Sequence, residues 1–225
     1  DMDGVAFDFL GSEYRAYTGA VFGLVEAPIV RGTSLSLSLR GEKRRMEYDD
    51  TKGASFSPTN DMAGGTVSLN HDLSETVRTY LLATRGFKGG GFNAGPSVPE
   101  DRRVFRPEYV WNFETGVKGT VLGGRVETEL AAFYMLRDEQ QIKLAVQDDP
   151  SDPLSFTFLT ENAGQGYNTG LEGSVRWKTT DALSVWATGA LLATEITSID
   201  AQNSSLYGRE QSHAAPWQYA VGGRY

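Results

Sequence analysis

Few residues in this chain have the types and spacing that covalent or metal chemistry requires. Its 225 residues contain two histidines, His71 and His213, and no cysteine. His71 adjoins Asp72, and His213 lies close to Glu210. One imidazole with one carboxylate falls short of the three or four ligands of a zinc centre, so both read as exposed polar positions. Asp148, Asp149 and Asp152 offer oxygens for calcium, but without the Gly and Glu spacing of an EF-hand they read as a solvated loop. The stretch GFKGGGFNAG, Gly86 to Gly95, is rich enough in glycine to cradle a phosphate. Such a loop needs a helix behind it, and here Pro96, Pro99 and Pro107 follow. Its glycines read instead as flexible joints where a strand enters a loop. Lys43, Arg44 and Arg45 form a short basic cluster, which reads as a solvated strand end before it reads as an anion site. No GxSxG nucleophile motif is present. The sequence therefore assigns no catalytic residue, no metal and no cofactor.

What the chain does have is strands. Between Pro107 and Val121, Tyr109, Trp111, Phe113, Val117 and Val121 alternate with Glu108, Asn112, Glu114, Lys118 and Thr120. The alternation resumes after Gly123 and Gly124, with Val126, Leu130, Tyr134 and Leu136 against Arg125, Glu127, Glu129 and Arg137. Period two is the pattern of a strand. With Gly123 and Gly124 as a two-residue hairpin loop, Val121 faces Val126, Val117 faces Leu130, Phe113 faces Tyr134 and Trp111 faces Leu136. On the other face Lys118 meets Glu129 and Thr120 meets Glu127. Arms of more than ten residues are about twice the usual soluble strand. With one apolar and one charged face, they suit a transmembrane β-barrel, whose strands cross the hydrocarbon with about ten tilted residues. Tyr109 and Trp111 fall where the outer interface is expected, as girdle residues.

The formal charge of −8 excludes a basic nucleic-acid-binding surface. No run of eighteen apolar residues is present, which excludes a transmembrane helix and leaves a barrel open. The opening DMDGVAFDFL has neither the basic nor the apolar region of a signal peptide. Further strands are predicted at Ala16–Ile29, from Thr33 to about Tyr48, at Gly65–Asp72, Thr76–Phe87 and Gly166–Lys178, in ALSVWATGALLATEI, and in the final APWQYAVGGRY. A polar loop is expected from Asp49 to Gly64 and a Gly-rich one from Lys88 to Val104. Short turns near Gly32, Ser74, Gly123 and Asp181 alternate with long polar connections near Thr51, Gly95, Pro150 and Asn203. That is the rhythm of a bacterial outer-membrane barrel, with short periplasmic turns and long extracellular loops. One hairpin is open in register. A two-residue loop at Thr180 and Asp181 puts Trp186, Leu192 and Ile196 beside Trp177 and Val175, and a three-residue loop puts Leu183, Val185 and Leu191 there.

From about Val77 the chain resembles the barrel of the TonB-dependent outer-membrane receptors, through TRGFKGGGFN, FRPEYVWNFETGVKG, AAFYMLRDEQQI and ENAGQGYNTGLEGSVRW. GFKGGGFN and NAG resemble the siderophore branch. The resemblance implies an all-β fold, an antiparallel transmembrane β-barrel of which this chain supplies nine or ten strands, out of about 22 around a plugged lumen. It implies no enzyme but part of an active transporter for ferric siderophores or similar bulky nutrients. The partners implied are the ligand, the plug domain, the TonB complex and outer-membrane lipid. Ligand contacts are then expected from Phe87, Lys88, Phe92, Arg102, Arg103, Phe105 and Arg106. Glu114, Lys118, Arg125, Glu127 and Glu129 are expected to line the lumen. Tyr134, Trp177, Trp217 and Tyr219 join Tyr109 and Trp111 as girdle candidates. The strand ending at Tyr225 is expected to be internal to a larger barrel. Two other readings compete. One is a complete ten-stranded barrel, with Val5–Leu10 as the extra strand, serving as hydrolase, adhesin or passive pore. The other is a soluble β-sandwich, which strand length disfavours.

Overall fold

The computed structural model describes residues 9–95, 97–147, 151–162, 164–199 and 206–225. Most of the suggested Val5–Leu10 strand, together with Asp148, Asp149 and the connection at Asn203, lies outside them. In chain order the strands are β1 (Ser12–Val30), β2 (Thr33–Asp50), β3 (Ser55–Phe56), β4 (Thr59–Asp72), β5 (Val77–Lys88), β6 (Gly91–Phe92) and β7 (Val104–Phe105). They continue as β8 (Glu108–Val121), β9 (Val126–Asp138), β10 (Gln141–Gln147), β11 (Phe156–Asn162), β12 (Gln165–Lys178), β13 (Ser184–Ser198) and β14 (Trp217–Arg224). One antiparallel sheet runs β1-β2-β4-β5-β8-β9-β12-β13-β14, with β3 added to β2. Two small sheets, β6-β7 and β10-β11, sit in the long connections.

The central hairpin has the register that alternation dictates: Val121 pairs with Val126, Val117 with Leu130, Phe113 with Tyr134, Trp111 with Leu136, and Lys118 with Glu129. Leu122, Gly123 and Gly124 take positive φ in its turn. Following that parity through the other ladders puts Leu35, Leu37, Leu39, Val67, Leu69, Leu81, Leu171, Val175 and Leu191 on the same face. All are roughly 40–60 % exposed. In water each would forfeit about 1.5–3 kcal/mol of burial, a cost that lipid removes. Val67, Leu37, Val25 and their neighbours have no protein cover among the described residues, as the lipid-facing band of a barrel would.

The opposite face is polar, and aromatic rings on it lie flat. Tyr80, Phe133 and Trp186 each cover a glycine directly across the ladder, Gly116, Gly170 and Gly222. A Cβ on any of those glycines would come within 2.5–2.7 Å of the ring. The wall stays thin there.

Two sequence expectations need correction, and two points that alternation leaves open are settled. The polar stretch Asp49–Gly64 is mostly strand, because β2 runs to Asp50 and β4 begins at Thr59. Where neither face has to be apolar, a strand continues without an apolar signal. The strand that follows the central turn stops at Asp138, and a separate strand, β10, starts at Gln141. Glu139 has a φ of 54°, and the amide of Gln140 donates to the carbonyl of Gly164 at the bend. The β12–β13 hairpin takes the longer loop, so Val185 and Leu191 share the apolar face while Trp186 pairs with Arg176 on the polar one. The amide of Leu183 donates to the Thr180 hydroxyl, which fixes that loop. Finally, Gly90 and Gly91 are close-packing positions. A Cβ at Gly90 would lie 2.5 Å from the Phe105 carbonyl oxygen, and one at Gly91 would lie 2.6 Å from the Phe105 ring.

Candidate functional site

The long connections do not hang free; they form a crown stitched by a few side chains. Asn93 is buried. Its Nδ2 donates to the carbonyls of Arg102 and Thr160, and its Oδ1 accepts from the Thr160 amide at 2.8 Å. One amide side chain thus clamps the β6-β7 loop to β11. Asn162 repeats the device, donating to the carbonyls of Arg106 and Glu139 and accepting from the Arg106 amide. Gln141 donates to the carbonyls of Gly89 and Arg106.

Beneath these clamps Glu108 is buried and takes the Arg137 guanidinium, with Nε at 2.8 Å and Nη2 closer still. Its second oxygen accepts from the Gln141 amide. Arg137 also donates to Gln211, whose Nε2 donates to Asn168 at 2.6 Å and whose backbone amide donates to the Thr194 hydroxyl at 2.9 Å. Five strands, β8, β9, β10, β12 and β13, are joined by this chain of bonds to the loop that carries Gln211.

Where the polar face meets the crown, four rings gather. Phe92 packs against Tyr14, Tyr48 and Phe56 with centroids 4.9–5.5 Å apart, and Tyr48 stacks on Phe56 at 4.8 Å. Tyr14 stays about half exposed. Its hydroxyl accepts from Arg44 at 3.1 Å. Arg103 lies within electrostatic reach of Tyr48 and Asp50, and its Nη1 is buried with no hydrogen-bond acceptor among the described residues. Partial desolvation pushes the Asp50 carboxyl up, but amide hydrogen bonds from Ala54 and Lys52 and the Tyr48 hydroxyl outweigh it and hold it below the usual carboxylate range. An aromatic floor edged by two guanidinium groups can hold a flat or aromatic anion.

Of the seven ligand-contact candidates, Phe92 is in this floor and Arg103 at its edge. Lys88 is exposed and pairs across the ladder with Glu108. Phe87 is paired with Tyr109 on the apolar face, facing away from the floor. Arg102 is tied to Glu161 at 3.3 Å and Arg106 to Glu139 at 2.8 Å, while Phe105 covers Gly91. Sequence reading missed Tyr14, Tyr48 and Phe56. The signal was available: carrying the alternation of β2 past Arg40 puts Arg44, Met46 and Tyr48 on the polar face.

Glu114, Lys118, Glu127 and Glu129 lie on the polar face, bordering clefts of about 930 and 510 Å³ with Arg78, Arg176 and Glu172. Lys118 contacts Glu129 at 2.5 Å, and Glu114 accepts from the Tyr80 hydroxyl at 2.7 Å. Arg125 stands in the turn, where its carbonyl accepts from the Lys178 amide. The girdle candidates Trp111, Tyr134, Trp177, Trp217 and Tyr219 all share the apolar face and are 42–72 % exposed; Tyr109 is there too, beneath Arg85. Trp177 is at the short-turn end, Tyr109, Trp111 and Tyr134 are toward the crown, and Trp217 and Tyr219 stand at mid-height, paired with Leu191 and Gly189. Among the described residues no three His, Cys, Asp or Glu side chains gather as a metal site. His71 bonds to Thr33 instead.

Known proteins give the same picture. The model for the TonB dependent receptor-like β-barrel matches residues 2–225. The pesticin receptors of Yersinia pestis and Yersinia enterocolitica are 26 % identical over 147 residues, which are 65 % of this chain and 20 % of theirs. The ferric yersiniabactin uptake receptor of Yersinia pestis superposes with a TM-score of 0.74 at 20 % identity, over 96 % of this chain and 32 % of that one. The siderophore receptor PiuA of Acinetobacter baumannii gives 0.71 at 19 % identity, over 94 % and 31 %. The chain thus spans about a third of the solved structures it matches and a fifth of the curated relatives. These matches are receptors, not enzymes. Taken with the open antiparallel wall and its single apolar face, the match over nearly every residue establishes that this chain belongs to the TonB-dependent receptor β-barrel family.

Proposed function

We propose that this chain is part of the wall of an outer-membrane uptake receptor for ferric siderophores, energised through TonB. Its polar face would enclose a plug, and its crown would take part in ligand capture. The observation that carries the reading is the division of the sheet into one exposed apolar face and one charged face, capped at a single end by interlocked loops. A wall of this kind does no covalent chemistry. Lipid covers Leu37 and Leu81, while Glu114, Lys118, Glu127 and Glu129 present charge to whatever fills the lumen. At the mouth, Tyr14 and Phe92 offer aromatic surface, and Arg44 and Arg103 offer positive charge to a chelate that is bulky and anionic. The siderophore receptors among its relatives support that ligand class.

The test is growth and ⁵⁵Fe uptake under iron limitation by a strain lacking the full-length gene, supplied in turn with ferric catecholate, hydroxamate and phenolate chelates. Loss of uptake of one chelate, restored by the intact gene and not by a Phe92→Ala, Arg103→Ala version, is expected. Undiminished uptake of every chelate, with no binding by the purified protein, would remove siderophores as the ligand.

A further inference from the structure

The apolar face is hollowed on its β1-β2-β4 side. Gly19, Gly41 and Ala63, on β1, β2 and β4, sit side by side in adjacent rows of the ladder, with only open space where the glycines would carry side chains. They floor a trough of about 670 Å³, with Lys43, Arg85 and Tyr109 on its rim. All six share the parity of Leu35, Leu37 and Leu39, so the trough opens outward, away from the polar face.

Its height follows from the strands. Arg85 is eight residues from the short-turn end of β5 and Lys43 ten from that of β2. At about 3.3 Å per residue and a tilt near 40°, they stand roughly 20 and 25 Å above the turns, at the upper edge of a band about 25 Å tall. The Arg85 guanidinium lies over the Tyr109 ring at 3.9 Å and donates to the Ala63 carbonyl, one row nearer the crown. No carboxylate pairs with it among the described residues. A cation facing lipid persists where it can snorkel to an interface and meet an anion there.

We propose that this trough seats a phosphate-bearing lipid of the outer leaflet, one acyl chain lying over Gly19, Gly41 and Ala63 and the phosphate held by Arg85 and Lys43. Charge complementarity selects this occupant, because the trough is apolar along its floor and net cationic at interface height, where Lys43 and Arg85 outnumber Asp61. Lys43 now contacts Asp61 at 3.2 Å, but both are largely exposed, and such a pair is weak enough to open toward a phosphate. The inference rests on the membrane reading above.

The test uses the full-length protein, extracted from the outer-membrane fraction in mild detergent, with organic phosphorus measured on the co-purifying lipid. An Arg85→Gln, Lys43→Gln double variant should lose lipid phosphorus several-fold, and Arg85→Lys should keep most of it. Gly41→Leu fills the trough while leaving both cations, and should lose lipid as well. Asp61→Asn removes the competing carboxylate and should raise retention, an increase that a purely structural Asp61 would not produce. Heat-modifiable migration checks that each variant is folded. Wild-type phosphorus in folded double and Gly41→Leu variants overturns the proposal, and so does retention of inorganic phosphate without lipid. If the membrane reading itself fails, the protein is released by aqueous buffer without detergent. That outcome overturns both, and is distinct from a detergent-extracted protein that holds no lipid at these residues.

Discussion

In the wall, Lys118 faces Glu129 because each residue from Tyr109 to Val121 faces a partner fixed by one continuous count. In the crown, Asn93 faces Thr160 for no periodic reason at all. The wall is redundant: the loss of one cross-strand pair leaves a dozen others in the same ladder holding the register, each contributing about 0.2–1 kcal/mol. The crown hangs on single side chains, each serving two or three loops. Substitutions of equal size should therefore act very differently in the two regions, locally and mildly below, broadly and severely above.

The largest effect is expected at Glu108→Ala. The Glu108 side chain is 7 % exposed and its partner Arg137 is 24 % exposed. Removing the carboxylate strands a largely buried guanidinium and frees the Gln141 amide, a loss of about 3–5 kcal/mol for breaking a buried pair. Chemical denaturation of the full-length protein should show an early transition, confined to the crown by protease cleavage between β9 and β12, ahead of the unfolding of the wall. A single transition at the wild-type midpoint would mean that the crown does not depend on this pair.

Asn93→Ala comes next. The Thr160 amide and two carbonyls lose their partner, and an unsatisfied buried group costs about 1–3 kcal/mol. Hydrogen exchange should rise in β6, β7 and β11 together, while β8 and β9 keep their protection. Exchange rising in the wall as well would erase the distinction between the regions.

This difference also explains what could be read in advance. The register of β8 with β9, the order of short turns and long connections, and the two faces follow from period-two alternation, which the chain displays openly. The crown has no period, so Asn93 and Asn162 look like ordinary loop residues until the loops meet. The motif GFKGGGFN signals its family, but its glycines were misread as flexible because what fills their missing Cβ positions, Phe105, is fourteen or fifteen residues away. The β12–β13 register was undecided because both parities put a tryptophan or leucine outward. It was settled by the Thr180 hydroxyl, which is a local geometric fact and not a pattern.

Within the wall, Gly116→Ala tests how thin the sheet must be. The added methyl would sit 2.6 Å from the Tyr80 ring, and the ring is hydrogen-bonded through its hydroxyl to Glu114. The ring must swing away or the strands must part, a cost of about 1–3 kcal/mol for overpacking. Tyr80→Ala on the same background should recover part of it, whereas the same glycine change should leave protease resistance of the crown untouched. Equal damage to the crown would show that the two regions unfold as one unit.

The smallest effect sharpens the contrast by using charge alone. Asp50, at the crown end of β2, accepts from the Lys52 amide at 2.9 Å, the Ala54 amide at 3.0 Å and the Tyr48 hydroxyl at 3.1 Å. These bonds favour the carboxylate and lower its pKa in the folded state. Folding therefore gains from ionised Asp50 at every pH above the unfolded value of about 3.9, and the gain fades as pH falls through the lower folded value. The loop from Thr51 to Pro58 should open on acidification before the wall responds. The protection factors of the Lys52 and Ala54 amides, that is, exchange corrected for its intrinsic pH dependence and followed downward from neutral pH, should fall in the wild type below the usual aspartate range. In Asp50→Asn, whose amide oxygen still accepts but does not titrate there, protection should be flat across the same range and somewhat lower at neutral pH. Acid sensitivity that survives the substitution would place the titrating group elsewhere. The ordering of the rings on Tyr48 would then owe nothing to this carboxylate, and the Tyr48–Phe56–Phe92 stack would have to stand on packing alone.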